Sequence, residues 1–174
     1  PRPEALALFG DKAEARQLAQ ELGVPVLTGT DVRTSLEEAR AFLERADGPI
    51  MIKALAGGGG RGMQIVRSAE ELESAYRRCA AEAKAAFGDE GLYVERFLAE
   101  ARHIEIQILG DGGEVAHLWE RECSLQRRNQ KLIEIAPSPS LSAALRDRLI
   151  DAALTLARHV QYRGLGTFEF LIDA

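Results

Sequence analysis

Gly57-Gly58-Gly59-Gly60-Arg61-Gly62 follows an apolar run, Ile50-Met51-Ile52, and a lysine, Lys53. Residues without a Cβ let backbone N–H groups approach phosphate oxygens closely. The spacing satisfies GxGxxG, yet a dinucleotide site needs a helix directly after the glycines, and Met63-Gln64-Ile65-Val66 is β-rich. Gly62 is followed by Met63 and not by Lys with Ser or Thr, so the pattern is not a Walker A loop. What remains is a glycine-rich hairpin able to fold over phosphates, or an idle surface loop that loses backbone entropy at every glycine. Lys53 adds a reason for the first. An ammonium in an apolar strand needs an anionic partner, which a nucleotide phosphate would supply; the other reading is a lysine snorkelling at the strand end.

Four further stretches place charge on strands. In Tyr93-Val94-Glu95-Arg96-Phe97-Leu98, Glu95 either accepts from a base amine or ribose hydroxyl or is an exposed strand carboxylate. The two-residue period of His103-Ile104-Glu105-Ile106-Gln107-Ile108 puts His103, Glu105 and Gln107 on one face and three isoleucines on the other. The polar face is either solvated or lines a cleft. Arg121, Arg127, Arg128 and Lys131 concentrate positive charge ahead of apolar Leu132-Ile133, so Lys131 stands at a loop–strand junction, where a charge can be aimed into a cleft. In Thr167-Phe168-Glu169-Phe170-Leu171, Glu169 faces away from the two phenylalanines. Such a carboxylate suits a hard cation such as Mg²⁺; the alternative is an ion pair with a nearby Arg.

Helices and strands must hold these groups. Asp11 with Glu14, Ser35 with Glu38 and Ser68 with Glu71 mark helix starts, and a further helix is expected from Ser142 to about Gln161. Strands are expected at 50–55, 63–67, 92–97, 103–109, 114–120, 131–135 and 167–172, with Asp111-Gly112-Gly113 as a hairpin turn. The class is α+β with antiparallel pairing. Among 174 residues, 22 basic and 27 acidic side chains give a net charge of −5, which argues against a generally basic nucleic-acid binder. Cys79 and Cys123 fit neither a disulfide framework nor a zinc motif and favour a reducing compartment. No apolar run reaches the roughly 18 residues of a membrane span. The sequence lacks an initial Met and stops just after an apolar strand, so it reads as a piece of a larger enzyme.

With these residues in order, the chain resembles the biotin carboxylase component of biotin-dependent acyl-CoA and pyruvate carboxylases, within the ATP-grasp superfamily. The likeness rests on Gly10-Asp11-Lys12, Ile52-Lys53, the segment from Ala56 to Met63, Glu95 to Leu98, Arg102 to Gln107, Glu122 to Lys131, and Gly166 to Phe170. It implies a connecting helix at 1–24, a glycine-loop lid at 25–97 and part of the ATP-grasp core at 98–174. It also implies ATP- and bicarbonate-dependent carboxylation of biotin through carboxyphosphate, with Mg²⁺ or Mn²⁺. Lys12 and Lys53 would bind ATP phosphates, and Gly59, Gly60 and Met63 would close over the nucleotide. Glu95, Arg96, Phe97 and Leu98 would hold adenine, while His103, Gln126, Asn129 and Leu171 would line the nucleotide site. Lys131 would face the transferring phosphoryl group and bicarbonate, and Glu169 would hold the metal.

Two residues depart from the family pattern: Asn129 stands where many members carry His, and Ala56 where some carry Gly. The implied partners are a biotin carboxyl carrier domain and a carboxyltransferase domain or subunit, in an oligomer, with neither nucleic acid nor membrane. The implied location is cytoplasmic, or the mitochondrial matrix in a eukaryote. The family's downstream Glu-x-Asn-x-Arg segment is not in the sequence, so the chain alone is expected to turn over little substrate. Two rival readings are another ATP-grasp ligase joining a carboxylate to an amine, and a nucleotide-binding module without chemistry.

Overall fold

The computed structural model describes residues 1–30, 32–56, 61–127 and 129–173. They form α1 (Pro3–Gly10), α2 (Lys12–Glu21), α3 (Leu36–Arg45), β1 (Ile50–Ala54), β2 (Met63–Val66), α4 (Ala69–Phe87), β3 (Leu92–Arg96), β4 (Ala101–Asp111), β5 (Val115–Arg127), β6 (Gln130–Ile135), α5 (Ala143–His159) and β7 (Arg163–Asp173). The chain divides into two compact units, one of Leu8–Phe97 and one of Pro1–Ala7 with Leu98–Ala174. Residues 1–7 group with the second unit and residues 8–24 with the first.

The Leu8–Phe97 unit is built on an antiparallel sheet in the order β2-β1-β3. Ile50, Ile52 and Ala54 point to one side with Val66, Leu92 and Val94, and bury against Leu72, Ala75, Cys79 and Ala83 of α4 and Ala39 of α3. The opposite side carries Met51 and Lys53 of β1, Met63 opposite Lys53 on β2, and Tyr93 and Glu95 opposite Lys53 and Met51 on β3. α3 begins as its sequence indicates: Ser35 accepts from the Glu38 N–H and Glu38 answers at the Ser35 N–H, a closed capping box. α4 does not. Ser68 makes no side-chain cap, and Glu71 takes the Arg67 N–H at 3.0 Å instead.

Gly62, in the left-handed region at φ +63, leads into β2, and a Cβ there would meet the Ala54 Cβ at 2.9 Å. Its carbonyl accepts from the Ala54 N–H at 2.8 Å and from the Cys79 thiol at 3.0 Å. Burial pushes that thiol up to about 12. Cys79 and Cys123 are both free and buried.

The second unit has the antiparallel order β6-β5-β4-β7. Ile104, Ile106 and Ile108 are fully buried, as are Ala153 and Ala157 of α5, which packs against β4 and β5. The face left to His103, Glu105 and Gln107 follows from the two-residue period. One sequence expectation is corrected here. The cationic stretch 121–127 is not a loop: β5 runs on through it to Arg127, after a register shift near the positive-φ residue Trp119. Pairing with β4 on one side and β6 on the other overrides the weak strand preference of Glu and Arg. Lys131 is the second residue of β6, across from Gln126, so it does stand at the start of a strand. α1, which opens at Pro3, was not indicated by apolar periodicity.

Candidate functional site

Each unit holds its own charged cluster. In the Leu8–Phe97 unit the cluster sits on the sheet face away from α3 and α4. Glu95 is buried, with 6% of its side chain exposed, and its Oε1 is ion-paired with the Lys53 ammonium. Its Oε2 lies 3.7 Å from Nη1 of Arg16, on α2. Arg16 is held from two more directions: its Nη2 donates to the Leu27 carbonyl at 2.7 Å, and its guanidinium lies 5.9 Å from the centre of the Tyr93 ring. Asp11 caps α2 by accepting from the Ala13 and Glu14 N–H groups, which fixes Lys12 in the first turn. Lys12 donates to the Leu55 carbonyl at 3.4 Å. Burial, and then the nearby Lys53 charge, hold its ammonium below the ordinary lysine value, against the pull of Asp11 and Glu95.

One reading of the sequence is corrected here and one is extended. Lys53 has a carboxylate partner within the protein, Glu95, which the sequence did not pair with it. Glu95 is not an exposed strand carboxylate but a buried one. Met63 is half-buried beside Lys53 across β1 and β2, Arg96 is exposed, and Phe97 closes this unit with its N–H on the Pro49 carbonyl. Gly59 and Gly60 lie outside the described residues.

The second cluster lies on the open face of the four-stranded sheet. Register sets Glu105 directly opposite Glu169 across β4 and β7, and opposite Arg121 across β4 and β5. Facing carboxylates repel. Lys131 resolves this by bonding both: it pairs with Glu105 Oε2 and reaches Glu169 Oε1 at 2.7 Å. Arg121 adds its Nη2 to Glu105 Oε1 at 2.6 Å and its Nη1 to Gln107 Oε1 at 3.0 Å. Burial works against the Lys131 charge, but the hydrogen bonds to Glu105 and Glu169 outweigh it and hold the ammonium above its ordinary value. Burial likewise opposes ionisation of Glu105, and its bonds to Lys131 and Arg121 reverse the sign, leaving it below the usual carboxylate range.

Glu169 is held down to about 2, first by the hydrogen bond from His103 and, against burial, by that from Lys131. His103 Nε2 lies 3.5 Å from Glu169 Oε1. Gln126 orients the ring: with its amide nitrogen donating to both His103 Nδ1 at 2.8 Å and the Cys123 carbonyl at 2.9 Å, the imidazole proton belongs on Nε2, toward Glu169. Leu171 is His103's partner across β4 and β7. Asn129 carries φ +62 after the end of β5, a left-handed conformation that Asn tolerates better than most residues.

Sequence reasoning placed His103, Gln126, Lys131, Glu169 and Leu171 at a site, and the structure brings them together. Two other members of that cluster were read only in part, Glu105 as one residue of a polar face and Arg121 as one of a cationic run; in the other cluster Arg16 was not singled out. The cation paired with Glu169 is Lys131, with His103 beside it, in place of the Arg considered as an alternative. The donor chemistry suits a hard cation: the nitrogens on Glu169 both address Oε1 among the described residues, so Oε2 can take a metal without breaking the Lys131 bond. His103, Glu105 and Glu169 offer ligand atoms within 4.8 Å of one another.

Residues 11–174 match the family described as the carbamoyl-phosphate synthase L chain, ATP binding domain. The chain is 52% identical to the pyruvate carboxylase of Bacillus subtilis (strain 168), over 99% of this chain and 15% of that protein. Its structure is similar to a biotin carboxylase–β,γ-ATP complex from Campylobacter jejuni, with TM-score 0.95 and 45% identity over 98% of this chain and 39% of that one. It is also similar to the biotin carboxylase domain of Hydrogenobacter thermophilus 2-oxoglutarate carboxylase in complex with MgADP, ADP and bicarbonate, with TM-score 0.93 and 42% identity over 98% of this chain and 38% of that one. The chain thus spans well under half of each of these relatives. The likeness identifies the two units as parts of an ATP-grasp fold. Among the described residues no helix is long and apolar enough to cross a membrane.

Proposed function

We propose, since this chain belongs to the carbamoyl-phosphate synthase L chain ATP-binding domain family, that it supplies the phosphate-gripping and metal-holding parts of a biotin carboxylase. The reaction is ATP- and bicarbonate-dependent carboxylation of biotin on a carrier domain, by way of carboxyphosphate. The observation that carries this reading is the Lys131 ammonium, fixed between two carboxylates on a rigid sheet beside an oriented histidine. Such a cation is placed in advance where charge develops during phosphoryl transfer, and preorganisation of this kind lowers the barrier without reorganisation at the moment of reaction.

In this reading Lys12 and Lys53 receive ATP phosphates; Lys12, held down by burial first and by the Lys53 charge second, gains an anionic partner as the phosphate binds. Gly59, Gly60 and Met63 close over the nucleotide, while Glu95 to Leu98 hold the adenine side. His103, Gln126, Asn129 and Leu171 line the nucleotide. Mg²⁺ or Mn²⁺, when bound, would neutralise phosphate charge; Glu169 would hold it while keeping its bond to Lys131. Lys131 in turn orients bicarbonate and the transferring group. The carboxyltransferase and the biotin carrier belong to other parts of the assembly, and the setting is the cytoplasm or the mitochondrial matrix.

The relatives near 50% identity favour this reaction over an amine ligase. The test is bicarbonate-dependent ATP cleavage by the intact protein with and without free biotin. Cleavage that needs bicarbonate and is stimulated by biotin is expected. Cleavage that needs an amine in place of bicarbonate contradicts the proposal.

A further inference from the structure

We infer that Arg16 is a positioning residue for nucleotide binding: it takes over the Glu95 carboxylate so that Lys53 is released to a phosphate. The inference rests on the proposed role of Lys53 as a phosphate ligand. Glu95, Lys53 and Arg16 expose only 6%, 17% and 11% of their side chains, so each charge needs a partner at all times. Lys53 cannot swing from Glu95 to a ligand if Glu95 is thereby left alone. Arg16 prevents this because the two cations hold different oxygens of the one carboxylate.

Arg16 is itself unable to leave. Its Nη2 bonds the Leu27 carbonyl, the Tyr93 ring lies against its guanidinium, and the following backbone packs over it. Gly29 bridges Glu95, and a Cβ at that position would lie 2.7 Å from the Val94 carbonyl oxygen and 3.0 Å from Arg16 Nη2. The flanking bonds from Arg96 N to the Thr28 carbonyl and from Thr30 N to the Val94 carbonyl, both 2.8 Å, lock that segment along β3. Arg16 is the fixed counter-charge and Lys53, on its flexible stem, the exchangeable one. Each cation weakens the hold of the carboxylate on the other, so removing Arg16 concentrates the Glu95 charge on Lys53 and withdraws Lys53 from phosphate.

The test is a double-mutant cycle on Mg-ATP affinity in the intact protein, with folding checked by thermal melting. Arg16→Gln should weaken Mg-ATP binding about tenfold in the native background, and by less than about threefold in the Glu95→Gln background, where no carboxylate remains to capture Lys53. An equal loss in both backgrounds would mean that Arg16 acts only through Leu27 and Tyr93, and overturns the inference, as does no loss in either. Arg16→Lys, which keeps the charge without the fork to Leu27, should stay within about threefold of native affinity; a loss as large as that of Arg16→Gln also overturns it. If Arg16→Gln does not fold, Arg16→Lys decides alone: affinity within about threefold of native supports the inference, and a loss of about tenfold overturns it. Failure of the unsubstituted protein to bind Mg-ATP at all would instead remove the functional proposal, and this inference with it.

Discussion

The two units carry charge triads of opposite order. In the Leu8–Phe97 unit one carboxylate, Glu95, stands between two cations, Lys53 and Arg16; in the other unit one cation, Lys131, stands between two carboxylates, Glu105 and Glu169. The first triad has a surplus of positive charge, increased by Lys12, and is suited to receive an anion. The second fixes a single ammonium and keeps carboxylate oxygen available for a metal. Both have a buried carboxylate, Glu95 with 6% and Glu105 with 4% of its side chain exposed, but only the second has an open one, Glu169, at 55%. Breaking the first therefore costs stability as well as phosphate binding, while the open side of the second is where chemistry is expected to be lost.

The largest expected effect is on chemistry. Lys131→Met leaves Glu105 and Glu169 facing each other without their shared cation and should lower bicarbonate-dependent ATP cleavage by the intact protein about a hundredfold or more, read as kcat/KM. Next comes stability in the first triad. Glu95→Ala strands two buried cations and should cost about 3 kcal/mol in chemical denaturation, whereas Lys53→Ala, which leaves Glu95 paired with Arg16, should cost about 1 kcal/mol. Equal costs would break the asymmetry between shared carboxylate and shared cation.

The smallest effect is a pH dependence. Glu169 titrates at about 2 in the folded chain against an ordinary 4.5, so its contribution to stability is complete above 4.5 and is lost as pH falls toward 2. The melting-temperature gap between the native protein and Glu169→Gln should narrow over that window and stay constant above it. A gap that widens on acidification would reverse the sign assigned here. Since Glu169 is half-exposed, the gap itself should be small.

Much of this arrangement is legible from neighbouring residues. The alternation from His103 to Ile108 separates core from site because a strand's side chains alternate, and Ser35 with Glu38 starts α3 because that cap needs only residues three apart. Ser68 with Glu71 has the same spacing and fails, since Arg67 offers Glu71 a competing N–H. What stayed hidden is long-range. No local pattern says that Glu105 faces Glu169, more than sixty residues away, or that Arg16 of α2 meets Glu95 of β3. These contacts come from strand register and helix docking, and they turn apparently lone charges into triads. The same reason explains Lys53, whose need for an anion was readable and whose partner was not.

The most direct test of the central claim is calorimetry of the intact protein with AMP, ADP and ATP in Mg²⁺, repeated for Lys53→Ala. If the positively charged triad grips the phosphate tail, affinity rises with each added phosphate in the native protein and the rise is largely flattened in the variant. AMP binding as tightly as ATP, or an undiminished rise in Lys53→Ala, would contradict it.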